Sequence, residues 1–136
     1  MTKRSTIKKV VRGNVRAEIV VVRGAFSFLG DIDLETAEII IDRDPNKGIS
    51  VAGKILIFTE TKGSSGGALV LQTLKTIGKA PAAIVSAKPP DFNLTEGAIL
   101  SKVPYASNLD QNLMNELKTG QTVDLNIEEG IFVVVK

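Results

Sequence analysis

Neither cysteine nor histidine occurs in these 136 residues, and the two absences remove whole classes of chemistry. Without thiols the chain forms no disulfide, presents no thiolate nucleophile and cannot ligate an iron-sulfur cluster through sulfur. Without imidazoles it also lacks the commonest zinc ligands, the base of a Ser-His-Asp triad and the partner of a Cys-His pair. Aromatics make up only 4% of the chain while apolar residues reach 43%. A core must therefore come mainly from Val, Ile, Leu and Ala, a mixture suited to strands packed with a few helices. No run of about 18 apolar residues is present to cross a membrane as a helix, and the amino terminus has no apolar stretch of the signal-peptide kind. The expectation is a soluble cytoplasmic protein with no membrane partner.

The length fits a single domain spanning residues 1–136, with a basic segment at about 1–9 that can be flexible. Net charge is only +2, but Lys3, Arg4, Lys8, Lys9, Arg12 and Arg16 all precede the first acid, Glu18. A solvated basic edge that discourages strand aggregation is the commoner meaning of such a stretch. Docking on an acidic surface and attraction of an anionic substrate are the alternatives. Nucleic acid is not expected, because no aromatics interleave with the charges to stack on bases.

Hydrophobic patterning predicts an α/β fold with a mixed β core and a few flanking helices. Ile7 to Val15 and Ala17 to Val22 read as paired strands, with a bend at Gly13-Asn14. Residues Gly24 to Asp33 mix two phenylalanines with glycines and acids, the composition of a shaped loop. A strand is predicted over Ala37 to Ile41. Lys54 to Phe58 is almost continuously apolar, as in a central strand buried on both faces. Val70, Leu71, Leu74 and Ile77 then share one helical face, and Gly78 supplies the stop. Ala82 to Val85 reads as the next buried strand, which completes a parallel βαβ unit. A helix is predicted near Thr95 to Ser101 with Asn93 or Thr95 as its cap, and an edge strand at Val103 to Ala106. A helical turn capped by Asn108 or Asp110 follows. Thr122 to Ile127 and Ile131 to Val135 form a closing hairpin.

Lys62-Gly63-Ser64-Ser65-Gly66-Gly67 lies between the carboxyl end of the predicted central strand and the amino end of a helix, the edge where ligands of α/β sheets gather. Glycines admit close backbone approach, and first-turn N–H groups with the helix dipole attract anions. Ser64 or Ser65 can merely cap the helix, the turn can cradle a phosphate or carboxylate, or a serine can be catalytic. The order of residues is not that of a nucleotide P-loop, whose lysine follows the glycines. It also fails as a nucleophile elbow, since no histidine can serve as base. A catalytic serine would need its alkoxide stabilised by backbone donors, a helix end or a cation, for which Lys62 is a candidate.

Gly63 to Gly67, the preceding Lys54 to Phe58, the following Gly78 to Ile84 and the upstream Phe26-Ser27-Phe28-Leu29-Gly30 together resemble the swivel domain of the aconitase X family, in order from about Gly13 to Ile131. The resemblance implies an aconitase-type swivelling β/β/α domain that closes over a 4Fe-4S cluster carried by a large aconitase-like subunit, with no cofactor on this chain. It implies a hydro-lyase acting on a small phosphorylated hydroxy acid, 5-phosphomevalonate in the separate-chain members, whereas other members act on hydroxyproline-type compounds. By similarity Ser64 is the base, and Gly63, Ser65, Gly66 and Gly67 line the substrate turn. This chain departs from the family pattern at Gly66 and Ala68, where serines are usual. It departs again at Leu29, often tryptophan, and at Asp31, often glycine. Arg43 and the basic amino-terminal edge are candidates for meeting the partner or the phosphate, with a solvated surface as the simpler role. A noncatalytic anion-binding module is the reading from another class.

Overall fold

The computed structural model describes residues 3–62 and 66–135. Eight strands form one hydrogen-bonded series: β1 (Arg4–Thr6), β8 (Ile131–Val134), β7 (Thr122–Asn126), β3 (Asn14–Phe26), β4 (Ile55–Thr61), β5 (Ala83–Ser86), β6 (Tyr105–Ser107) and β2 (Lys8–Val11), in that spatial order. The first and last of these strands are joined through Ile7 alone, so the series must curl until its two ends meet. Long β3 is the hinge of the arrangement. Its first half pairs antiparallel with β7, and its second half pairs parallel with β4.

Side-chain alternation explains the layers. Val20, Val22, Leu56, Phe58, Ile84 and Tyr105 face a core shared with α2 (Gly66–Thr76) and α3 (Phe92–Ser101). Their neighbours Ile19, Val21, Ile55, Ile57, Ala83, Val85 and Ala106 face a second core with Val123, Leu125, Phe132 and α4 (Gln111–Glu116). The result is sheet on sheet on helices, the β/β/α order expected, with the middle strands buried on both faces. The βαβ unit is parallel as predicted, with Leu56 opposite Ile84, and the closing hairpin pairs Asn126 with Ile131.

Several elements differ from their sequence prediction. The first two strands do not pair with each other, because both edges of β3 are taken by β4 and β7 and β2 crosses to β6. Gly13, at φ +142°, makes that crossing beside Pro104, whose Cγ lies 2.5 Å from where a Cβ would sit. Residues 103–106 are not an edge: β6 lies between β5 and β2, and Tyr105 is fully buried. Ala37 to Ile41 makes only isolated bridges, Ile32 with Ile39 and Glu38 with Ser50, and Ala37 itself turns at φ 60°. Ile77 lies beyond α2 and is 47% exposed. Gly78 ends that helix as predicted, at φ +76°, with Gly78 N–H donating to Lys75 C=O and Lys79 N–H to Leu74 C=O.

Two measurements probe this packing. A Cβ on Gly97 would lie 2.8 Å from Ala68 Cα, so α2 and α3 touch backbone to backbone there. Gly97→Ala is expected to destabilise by about 1–3 kcal/mol in denaturant unfolding, because the obstacle is not a movable side-chain end. The Tyr105 hydroxyl is pushed up to about 12, first by burial, against a lowering hydrogen bond from Ser86 and with a raising contribution from the Asp91 charge. The folded state therefore keeps a proton that the unfolded chain, with tyrosine near 10, has lost. Stability should fall between about pH 10 and 12 by roughly 2–3 kcal/mol from this group alone. Tyr105→Phe should flatten that part of the pH–stability curve relative to the parent.

Candidate functional site

Strands β3, β4 and β5 are parallel, so their carboxyl ends point to one edge; β3 shifts register against β4 between Val22 and Ala25, and beyond that shift Phe26 pairs with Thr61. Gly63, Ser64 and Ser65 lie outside the described residues, and the site is built from what holds the chain on either side of them. On the strand side, Lys62 N–H donates to Phe26 C=O at 3.0 Å. Thr61 Oγ1 donates to Asp91 Oδ2 at 2.7 Å, while Asp91 Oδ1 accepts from Leu94 N–H at 2.7 Å and caps α3. Asp91, not Asn93 or Thr95, is thus the cap, and it lengthens the helix to begin at Phe92. On the helix side, α2 starts at Gly66. A Cβ on Gly66 would sit 2.6 Å from Leu29 Cδ2, whereas one on Gly67 would meet only Phe28 Cβ at 3.9 Å.

The upstream segment is the shaped loop that its composition predicts. Its single turn, α1 (Phe28–Asp31), departs from helical geometry at Leu29 and at Gly30, where φ is 100°. Phe26 anchors it by stacking on Phe58 at 5.3 Å and meeting Phe28 edge-on at 5.2 Å. Ser27 Oγ accepts from Leu29 N–H, and the Asp31 carboxylate accepts from Ser27 N–H at 2.9 Å. Asp31 is also ion-paired with Lys62, its two oxygens 2.8 and 3.1 Å from Nζ. The ammonium that was a candidate for stabilising a serine alkoxide is therefore held by a carboxylate of its own chain.

The structure thus brings Lys62, Gly66 and Gly67 against the Phe26 to Asp31 loop. It sets Arg43 apart, at φ 68° beside an open groove of about 610 Å³ that also takes in Arg23, Asn46, Lys118 and Thr119. Arg23 donates to the carbonyls of Met114, Asn115 and Leu117 at the end of α4. The buried Asn46 donates to Val21 C=O and accepts from Thr119. These contacts give the groove a structural purpose. Among the described residues no three His, Cys, Asp or Glu side chains are grouped to hold a metal, and no helix is long and apolar enough to cross a membrane.

Residues 4–134 match the aconitase X swivel domain family. This chain belongs to that family. Among its relatives, the phosphomevalonate dehydratase small subunit of Thermococcus gammatolerans is 40% identical over 90% of this chain and 91% of that protein. The protein of the same name from Pyrococcus horikoshii is 41% identical over 91% of this chain and 87% of that one. A crystal structure of Thermococcus kodakaraensis aconitase X in its holo-form superposes with a TM-score of 0.89 at 34% identity, covering 98% of this chain and 99% of that chain. A solution NMR structure of a UPF0107 protein gives a TM-score of 0.88, also at 34% identity, covering 98% and 100%. The aconitase X swivel fold predicted from the serine turn and its neighbouring segments is therefore the fold of this chain.

Sequence reasoning missed Asp91 as the partner of Thr61, and it noted Asp31 only as a departure from the family pattern, without its pairing to Lys62. Asp91 carried a usable signal, since it follows Pro89-Pro90 and directly precedes an apolar helical run. The pairing of Asp31 with Lys62 left no local signal, because the two lie 31 residues apart. Asp91 serves helix and strand at once, so Asp91→Ala should cost more stability than Thr61→Val, about 2 kcal/mol against about 1. Thr61→Val should then add little in the Asp91→Ala background, a non-additivity that a double-mutant cycle of chemical denaturation would register.

Proposed function

We propose that this chain is the small subunit of a phosphomevalonate dehydratase, a two-chain hydro-lyase, and that Ser64 is its base. What supports the reading is that Ser64 falls in the sequence between β4, a doubly buried strand that ends at Thr61, and α2, which begins at Gly66. First-turn N–H groups and the roughly +0.5 charge at a helix amino end favour an oxyanion there. In the reaction, Ser64 takes the proton from the carbon next to the one bearing the hydroxyl. The C–H electron pair becomes the new C=C bond while the C–O pair leaves with the hydroxyl as hydroxide; that hydroxide and the proton collected at Ser64 together make up the water lost, which turns (R)-5-phosphomevalonate into trans-anhydromevalonate 5-phosphate and restores the base. Gly63, Ser65, Gly66 and Gly67 line the substrate turn.

Lacking cysteine and histidine, the chain has no donor set for a 4Fe-4S cluster. The cluster, and with it departure of the hydroxyl, belongs in this proposal to the large aconitase-like subunit, and the complex works in the cytoplasm. Family relatedness and the fitted chain lengths support this reading over that of a noncatalytic anion-binding module. In enzyme assembled anaerobically with the large subunit, Ser64→Ala is expected to lower turnover of 5-phosphomevalonate by roughly 10²–10⁴-fold, the usual worth of a general base. Undiminished turnover would remove the base assignment and favour anion binding alone. Turnover of a hydroxyproline-type acid but not 5-phosphomevalonate by the parent complex would change the substrate.

A further inference from the structure

The open groove beside Arg43 is walled by the turn over residues 41–46, by residues 117–119 and by Val21 and Arg23 of β3. Asn46 locks these walls together, donating to Val21 C=O at 2.7 Å and accepting from Thr119 Oγ1 at 2.7 Å. Arg23, Asp42, Arg43, Asp44 and Lys118 are its charged side chains. Both acids are already committed, Asp42 to Lys47 Nζ at 2.8 Å and Asp44 to Asn46 N–H at 2.7 Å. The side chains of Arg43 and Lys118 have no partner among the described residues. Arg23 is anchored on the carbonyls of Met114, Asn115 and Leu117 through Nη2, which leaves Nε and Nη1 as further donors on a guanidinium already held in place. Arg43 stands, at φ 68°, third in a turn closed by Asp44 N–H donating to Ile41 C=O at 3.2 Å. Glycine or asparagine usually takes that position, because a Cβ at positive φ crowds the following carbonyl. An arginine there, with no contact inside the chain to offset the strain, directs attention to a use for its charge outside the chain.

We infer that this groove is a docking site for an acidic segment of the large subunit, whose carboxylates meet Arg23, Arg43 and Lys118. The inference rests on the two-chain reading above. A lone small anion in so open a groove would stay largely in water, where screening leaves each exposed cation little hold on it. A protein segment adds apolar contact with Ile41 and Pro45, which line the same groove, to the attraction of the three cations. Arg23 lies on β3 shortly before Phe26, so a segment docked here brings the large subunit toward the carboxyl edge of the sheet.

Arg43→Gly removes the charge and suits the turn, so the lone variant should melt close to the parent, relief of strain offsetting the freedom glycine adds to the unfolded chain. Lys118→Glu reverses the second uncommitted charge on an exposed side chain. Titrated with the separately purified large subunit at low salt, each variant should bind about tenfold more weakly than the parent. Added salt should narrow that gap, because it screens the attraction that only the parent retains in full. Affinity equal to the parent's in either variant, or a gap that salt leaves unchanged, would overturn the inference. Inorganic phosphate that raises the Tm of the parent but not of Arg43→Gly, with subunit affinity unaltered, would overturn it too by making the groove a small-anion site. A parent chain that forms no complex with the large subunit defeats the two-chain reading and the inference with it, whereas a parent complex matched by both variants defeats the groove alone.

Discussion

Ile55, Leu56, Ile57 and Phe58 send alternate side chains into two different cores, and all four are fully buried. A slip of β4 by one residue would exchange the two sets and misfit both cores at once, so its register is fixed far more firmly than that of a strand with one wet face. The same holds for the facing residues of β3 and β5, which pair with β4 in parallel register. Fixing those three strands, together with the register shift of β3 between Val22 and Ala25, fixes the height at which Phe26 and Thr61 reach the sheet edge. The serine turn begins one residue past Thr61, so its starting point is set by apolar packing rather than by the turn itself.

Polar contacts then hold the end of β4 and the residue that follows it. Thr61 is tied to Asp91, Lys62 to Phe26 through its backbone and to Asp31 through its side chain. Each tie joins a different element to the turn: the cap of α3, the end of β3 and the irregular α1. Their individual worth is modest, since Lys62 is about half exposed and its pair is screened by solvent. Their value lies in geometry, because three anchors on three elements hold Thr61 and Lys62.

What the sequence revealed follows from the range of the forces involved. The doubly buried strand, the α2 face at Val70, Leu71 and Leu74, and the Gly78 stop rest on local periodicity and local backbone conformation, and all three are present, whereas Ile77 falls past the end of the helix. Pairing partners depend on which edges remain free after the whole sheet forms, so the predicted pairing of the first two strands failed although both strands exist. The edge assignment of Val103 to Ala106 failed likewise, since β2, almost a hundred residues earlier in the chain, covers it. The bracing carboxylates follow the same rule. Asp91 acts three residues away at Leu94 and left a trace in the local sequence, whereas Asp31 acts on Lys62, 31 residues further along the chain.

A chain without imidazole or thiol can contribute to acid-base chemistry only through groups that are weak in water, and a serine hydroxyl is the clearest case. Such a group needs an environment supplied in two parts. One part is internal: backbone donors at a helix start and a turn whose ends are held, both of which concern α2, Lys62 and the Phe26 to Asp31 loop. The other part must come from outside, because water would solvate and protonate an exposed alkoxide, and only a second surface closing over the turn can exclude it. Leu29 at 54% exposed and Phe92 at 78% stand beside the turn's two supports, Leu29 against Gly66 and Phe92 next to Asp91. In the proposed reading, Leu29 and Phe92 are apolar side chains that such a second surface would cover as it closes.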